Sequence, residues 1–524
     1  MLIRIYMAVV AVIISAVLVQ FSSAGEKTSS PGSSKEVIKV TDVDEDEDDE
    51  DTDKNDEDVV KKSKEKKGEV KKPEQAGEQK SKEATADKVK DEDLVEVKEK
   101  RGPRFKFKGQ AKNIYTFHRT DNYLGETQLT DSSKNLNADL TRVRLSPEFL
   151  YKHILTMKID YDNEIIWNNY GKSADFKGYW RPSQYNDLIH IDWEPYRGDD
   201  LYYRTKIHRA YAIFSVDKFS LAVGRQQIRY GSGRLWNPLD ILNPISPTFV
   251  EGIEEQKGID AVKMNIYPDA KTELSIVFNP KKSNDKIEHF NLQECNYLLH
   301  VKTVVEDVDV AVLGGYISRR GVAGFDFAAI LLKGMLRGSM MVSQAAHDYK
   351  SNYLISNLTA YNPDLDLRRL IPGRNEKRPI YFLANAGYEY TLNNGLYVLV
   401  EYFFNQNATN YNKDLKAALY TARFNAMDQK TYLQLVNQFL TVNQHYIGAA
   451  LGYDFHPLVR GELFSIGDIQ GRGIFWSPTI KINAYENLDF TAGMMGAFIF
   501  NNKTSDFSEF RKNYLFYVSG RYVF

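Results

Sequence analysis

The chain has 524 residues, with 68 Lys+Arg against 70 Asp+Glu, one Cys, 33 Tyr and 28 Phe, and a mean hydropathy of −0.45. One Cys excludes a disulfide-stapled scaffold and a cysteine-based zinc site, and near-balanced charge gives no global basic field for nucleic acid. The low hydropathy excludes a bundle of transmembrane helices, each of which needs about 20 apolar residues, and leaves a large, tyrosine-rich chain of strand-prone texture.

Met1–Ala24 reads as a secretory signal peptide: Arg4 supplies the positive start, Ala8–Val19 the apolar run and Ser22-Ser23-Ala24 the small-residue cleavage site. The mature chain is expected to begin near Gly25, and with no Cys there it is not a lipoprotein. An uncleaved anchor helix is the competing reading. Residues 25–102 open with an acidic run, Asp42 to Asp58, and turn lysine-rich between Lys61 and Lys72. Such a segment buries too little apolar surface to offset its chain entropy, so it is expected to be disordered. The acidic run lacks the Gly and terminal Glu spacing of an EF-hand and reads as a solvated linker.

From 103 to 524 the pattern is that of an all-β transmembrane antiparallel barrel. Segments of about ten residues alternate apolar and polar between turn signals. In Leu155–Trp167 the odd positions are mostly apolar (Leu155, Met157, Ile159), and the even ones include Lys158, Asp160, Asp162 and Glu164. Tight turns fall at Lys152-His153, Asp217-Lys218, Pro268–Lys271, Glu306-Asp307, Lys333, Asn393–Gly395, His456-Pro457 and Glu486-Asn487. Segment counting gives about eighteen strands, with sixteen the alternative because Gly324–Ala346 is weakly patterned. With both ends of the barrel periplasmic, every tight turn lies on the periplasmic side. Longer outer loops are expected at Asn168–Tyr202, Gly231–Gly258, His347–Pro379 and Gln406–Val442. The last contains a helix-like stretch, Asp414–Leu440.

The densest local signal is Phe219–Gly233, continuing through Arg234-Leu235-Trp236-Asn237-Pro238. Gly224-Arg225-Gln226, Tyr230-Gly231-Ser232-Gly233-Arg234 and then Asn237-Pro238 and Asn243-Pro244 resemble a stretch of the alginate-export-type outer-membrane barrels. That resemblance implies a porin-like fold and, as one reading, export of an anionic polysaccharide. Strict alternation puts Arg225 and Arg229 with the lipid-facing Phe219, Leu221 and Val223. A charge facing lipid at mid-depth costs roughly 2–4 kcal/mol, so a bulge at Gly224 is expected to turn them inward. The following loop, 232–258, is expected to fold into the lumen and present Arg234, Asp240, Glu251, Glu254 and Glu255. Bracing the loop against the wall is the competing role for these residues.

Parity places further charges in the lumen. The basic candidates include Lys106, Lys108, Lys112, Arg142, Arg144 and Lys158, and the acidic ones Asp160, Asp162, Glu164, Glu389 and Glu401. Rings of one sign select the opposite ion. The two signs are mixed here, but the first two strands carry a basic stripe, which leans towards anionic or polar solutes. Opposed ladders that merely neutralise each other are the alternative. At the end of the chain, Tyr522 and Phe524 resemble the C-terminal aromatic signal of bacterial outer-membrane barrels, read by the barrel assembly machinery.

No nucleophile elbow, H-E-x-x-H or P-loop is present in the sequence. The leading expectation is a non-enzymatic porin in the outer membrane of a Gram-negative bacterium, needing no cofactor, metal or nucleic acid. It would pass small polar or anionic solutes by diffusion, contact outer-membrane lipid and leave homo-oligomer formation open. The alternatives are an alginate-export-like exporter and the barrel sheath of an electron conduit.

Overall fold

The computed structural model describes residues 102–524, apart from stretches within 121–133, 174–190, 243–257, 282–294, 318, 345–379, 407–442 and 501–512. The expected signal peptide, the acidic and lysine-rich segment and the helix-like Asp414–Leu440 lie outside the described residues.

Eighteen antiparallel strands form the barrel wall. They are β1 Pro103–Thr120, β2 Lys134–Tyr151, β3 Leu155–Asn168, β4 Leu201–Val216, β5 Phe219–Gln226 and β6 Ile259–Asp269. Next come β7 Thr272–Asn279, β8 Asn296–Val305, β9 Val308–Ile317, β10 Arg320–Leu331, β11 Gly334–Gln344 and β12 Ile380–Thr391. The circuit ends with β13 Tyr397–Asn405, β14 His445–His456, β15 Val459–Asp468, β16 Gly473–Tyr485, β17 Leu488–Ile499 and β18 Tyr514–Val523. Each pairs with its sequence neighbours, and β18 pairs back onto β1 from Gln110↔Val523 to Arg119↔Tyr514. Closure removes the exposed sheet edges of so large a sheet. The last residue takes part: Gly109 and Phe524 exchange both backbone hydrogen bonds, at 2.7 and 2.9 Å.

The tight turns stand where the sequence puts them, at the end of the barrel that holds the start of β1 and the end of β18. Lys152, Asp217, Glu306, Lys333 and Gly395 all have φ between 47° and 85°, the left-handed conformation a reversal of this kind needs. One finding differs from expectation. The join between Ile317 and Arg320, at the opposite end, is just as short, with Arg319 at φ 61°. Short connections are therefore not confined to one side. Gly324–Ala346, weak in pattern, does form two strands, because Phe325 and Phe327 face outward while Gly324 and Asp326 face inward.

Outward positions are mostly apolar and inward ones polar or tightly packed. On β1 the exposed outward residues include Phe105, Phe107 and Tyr115. Ten residues separate Phe107 from Phe117, which for a tilted strand rising about 3.4 Å per residue is close to the apolar band of about 25 Å that a membrane barrel presents. Two short pieces lie beside the main wall. Tyr123–Leu124 pairs with Leu129–Thr130, and Asp192–Arg197 runs along the part of β4 that β5 does not reach.

Candidate functional site

The expected bulge at Gly224 is absent. β5 pairs without interruption with β4, from Val216↔Phe219 to Ala210↔Arg225, and with β6, from Phe219↔Ile266 to Gln226↔Ile259. Gly224 instead takes φ 123°, and a Cβ there would stand 2.3 Å from the Ala210 carbonyl oxygen. Arg225 therefore keeps the outward parity of Leu221 and Val223. It is nevertheless buried, because its guanidinium forms a two-point pair with Asp260, at 2.8 and 2.9 Å, and donates to the Ile189 carbonyl. Pairing and cover, not a register shift, remove this charge from lipid. The register shift that does occur lies next door, in β4 opposite Asp160 and Tyr161.

After Gln226 the chain leaves the wall and enters the lumen. Residues 227–242 run along the inward side chains of β6 to β14. The Tyr230 ring lies against the His300 ring of β8, with 4.2 Å between centroids and a tilt of 32°, and Lys263 of β6 stands over its face. Burial pushes the Tyr230 phenol up to about 12, so it stays neutral. The Ser232 amide and hydroxyl both donate to Asp326 on β10, at 2.9 and 2.8 Å. The Glu401 carboxylate on β13 accepts three successive backbone amides, from Arg234, Leu235 and Trp236, at 3.0, 3.4 and 2.8 Å. Trp236 stacks on Phe403 with 5.4 Å between centroids and an interplanar angle of 10°. Glycines on the wall make room: a Cβ on Gly448 would meet Leu235 at 2.2 Å, and one on Gly324 would meet Leu239 at 2.3 Å.

This segment has its own small core. Ile228, Leu239, Ile241 and Leu242 pack against inward apolar residues such as Leu313, Met341 and Leu383. Asn237 ties the returning limb, donating to the Tyr230 carbonyl at 2.7 Å and accepting from the Leu239 amide at 3.2 Å. Half of the circuit of strands is thus lined by an inward chain segment at this level.

The opposite sector, β1 to β4, is lined by charge. One row runs Lys112↔Arg142↔Glu164↔Arg204 and the next Arg144↔Asp162↔Lys206. Arg142 pairs with Glu164 at 2.6 Å, Arg144 with Asp162 at 2.5 Å and Lys206 with Glu164 at 2.8 Å, and Arg204 bonds Glu164 as well. The basic stripe expected on β1 and β2 is thus opposed by the carboxylates of β3, and Arg142 and Arg144 are buried in ion pairs. Lys106 and Lys108, lower on β1, are exposed, and Lys112 is half-buried.

Across these pairs the cation is the more exposed partner. The side chain of Lys158 is 33% exposed against 5% for Asp160, Arg229 30% against 4% for Asp240, and Arg234 52% against 12% for Glu389. The carboxylates sit against the wall and the cationic ends reach into the lumen. Nearer the turns at the chain-terminal end the balance is even or reversed: Lys302 and Asp309 are about equally exposed, whereas Glu273 is more exposed than Lys263 and Asp454 more than Arg460.

Of the residues singled out from sequence, Arg229, Arg234 and Asp240 do lie in the luminal segment. Arg229 is 3.6 Å from Asp240, and Arg234 reaches Glu389 at 3.2 Å. Arg225 lies on the outward parity instead, and Glu251 and Glu254 lie outside the described residues. In the sequence Glu401 and Glu389 stand out only as generic lumen charges, and Asp326 does not stand out at all. All three anchor the segment. Among the described residues no group of His, Cys, Asp or Glu is arranged to hold a metal ion.

No family model matches the chain, and no curated protein matches it. Several solved structures are similar in shape. Pseudomonas aeruginosa OccK5 (OpdH) aligns at 8% identity over 80% of this chain and 97% of its own, with a TM-score of 0.46. A BenF-like porin from Pseudomonas fluorescens Pf-5 aligns at 9% identity over 80% and 98%, with a TM-score of 0.44. Pseudomonas aeruginosa OccK2 (OpdF), solved with glucuronate, aligns at 8% identity over 81% and 99%, with a TM-score of 0.43.

Proposed function

We propose that the chain is an outer-membrane channel of porin type, which passes small polar solutes by diffusion and prefers anions. The closed wall with a mostly apolar outside supports the membrane setting. The observation that carries the preference is the asymmetry of the luminal ion pairs, in which buried carboxylates hold cations that point at the passage. A solute anion meets several such groups in succession. Each attracts a unit charge by roughly 1 kcal/mol at about 8 Å with an effective dielectric near 40. Salt screens part of this, since the Debye length at 0.15 M is about 8 Å. The segment 227–242 narrows the lumen on the other side and so brings solutes towards β1–β4.

On this reading the chain needs no cofactor and performs no catalysis. Lipid contacts its outward wall, and Tyr522 and Phe524 serve as the signal to the assembly machinery. Export of an anionic polysaccharide is the second reading. The residues at 224–244 favour it, through their likeness to alginate-export-type barrels, and the cationic lining is compatible with it.

Swelling of liposomes that hold the purified protein separates these. A small monocarboxylate should enter faster than a neutral sugar of similar size, and an organic ammonium slowest. Equal rates for all three remove the anion preference. Release of trapped oligouronate chains at the rate of the monomer favours the exporter.

A further inference from the structure

Beneath the upper aromatic row, the outward wall of β1–β4 is not apolar. Asn113, Thr141, Ile165 and Tyr203 form one row across the ladders; Ala111, Val143, Asn163 and Thr205 form the row below; Asp139 lies in the row above, between Tyr115 and Trp167. The Asn113 amide donates to Asp139 at 2.5 Å and to Thr141 at 2.9 Å, and the Tyr203 hydroxyl donates to Asn163 at 3.2 Å. Asn113 and Thr141 are exposed, while Asp139 and Asn163 are half-buried. Elsewhere the wall is different. Among the described residues, the outward positions of β8 to β18 carry no Asp, Glu, Asn, Lys or Arg. The outward ion pair Arg225–Asp260 is buried.

We propose that this polar face of β1–β3 is the surface through which two copies of the chain associate in the membrane. The inference rests on the reading of the barrel as membrane-spanning. Hydrocarbon tails offer no partner to a carboxylate or to amide groups, and lipid headgroups lie above the aromatic row. A second copy does offer partners at the right depth. Copies in one bilayer are related by rotation about the membrane normal, which preserves depth, so the patch on one copy meets the same layer of the next. That layer holds donors, the Asn163 amide and the Thr141 hydroxyl, together with an acceptor, the Asp139 carboxylate. It is therefore self-complementary. Ala111 and Gly520, outward beside Asn113, let two walls approach closely.

The test uses the full-length protein in lipid nanodiscs, with Cys295→Ala as background and conductance recorded in parallel. Thr141→Cys should be joined into linked pairs by a short bis-maleimide, and Ala386→Cys, outward on β12, should not. Asn113→Leu with Asp139→Leu should convert the particle from a multimer to a monomer by native mass spectrometry. A wild-type monomer overturns the proposal, as does equal cross-linking at both walls. A lipid bound to the wild-type monomer and lost from the leucine variant assigns the patch to lipid instead. A monomer that still conducts sinks this inference alone, whereas a chain that neither inserts nor conducts sinks the channel reading.

Discussion

Replacing Glu401 by Gln tests whether the luminal segment is held by its carboxylate anchor. Glu401 is nearly fully buried, and its two oxygens accept the amides of 234, 235 and 236 and the Asn385 side chain, at 2.8 to 3.4 Å. An amide of the same shape keeps one acceptor and turns the other into a donor, aimed at backbone N–H groups that also donate. A hydrogen bond to a charged group contributes about 1.5–3 kcal/mol, and an unsatisfied buried donor costs a similar amount. Losing the good bond from Arg234 and the long one from Leu235 should therefore weaken docking by about 2–3 kcal/mol, or roughly thirty- to a hundred-and-fiftyfold in the docked ratio. Ser232–Asp326 and Trp236–Phe403 remain, so the segment should stay docked most of the time. Single-channel recording should then show brief excursions above the wild-type conductance. Glu401→Gln combined with Asp326→Asn should lengthen them. Traces of wild-type amplitude and noise from both variants would refute the anchor.

The other expectations follow the same geometry. Gly448→Ala puts a Cβ where Leu235 lies and should raise conductance noise as the anchor variant does, without altering the charge of the lumen. Lys106→Gln with Lys108→Gln should shift the reversal potential modestly towards cations, most clearly at low salt. Arg142→Gln should instead lower stability, by about 1.5–3 kcal/mol, because it removes one of three cations that bond the buried Glu164 while Arg204 and Lys206 remain; the temperature at which the folded band is lost on gel electrophoresis reads this. Phe524→Asp puts a charge where the terminal ring packs on Gly109 and should reduce the yield of inserted barrel.

The wall was legible in the sequence because its signal is local. Period-two alternation over ten or more residues needs no knowledge of partners, and Leu155–Trp167 shows its two faces unaided. The site was legible only in part. That the chain after Gly224 is special followed from its Gly, Asn and Pro content and from two arginines on an apolar face. How the conflict is resolved did not follow, because Asp260 lies 35 residues from Arg225 and only strand pairing brings them together. The anchors are more remote still: Glu401 is 167 residues from Arg234. Asp326 does not stand out because Gly324 and Ala328 beside it blur the alternation, and Gly324 is the room that Leu239 of the segment fills. The cancellation of the basic stripe also depends on register, since a slip of one residue would have turned Asp162 and Glu164 outward.

Anion selection by the luminal cations is read most directly from the reversal potential of the purified protein in a planar bilayer under a KCl gradient. Stepwise conductance is expected, with a reversal potential of the sign set by chloride that moves towards zero in Lys158→Gln with Lys206→Gln. A reversal potential set by potassium, or one unmoved by that pair, would contradict the claim that the cations standing on buried carboxylates select the solute.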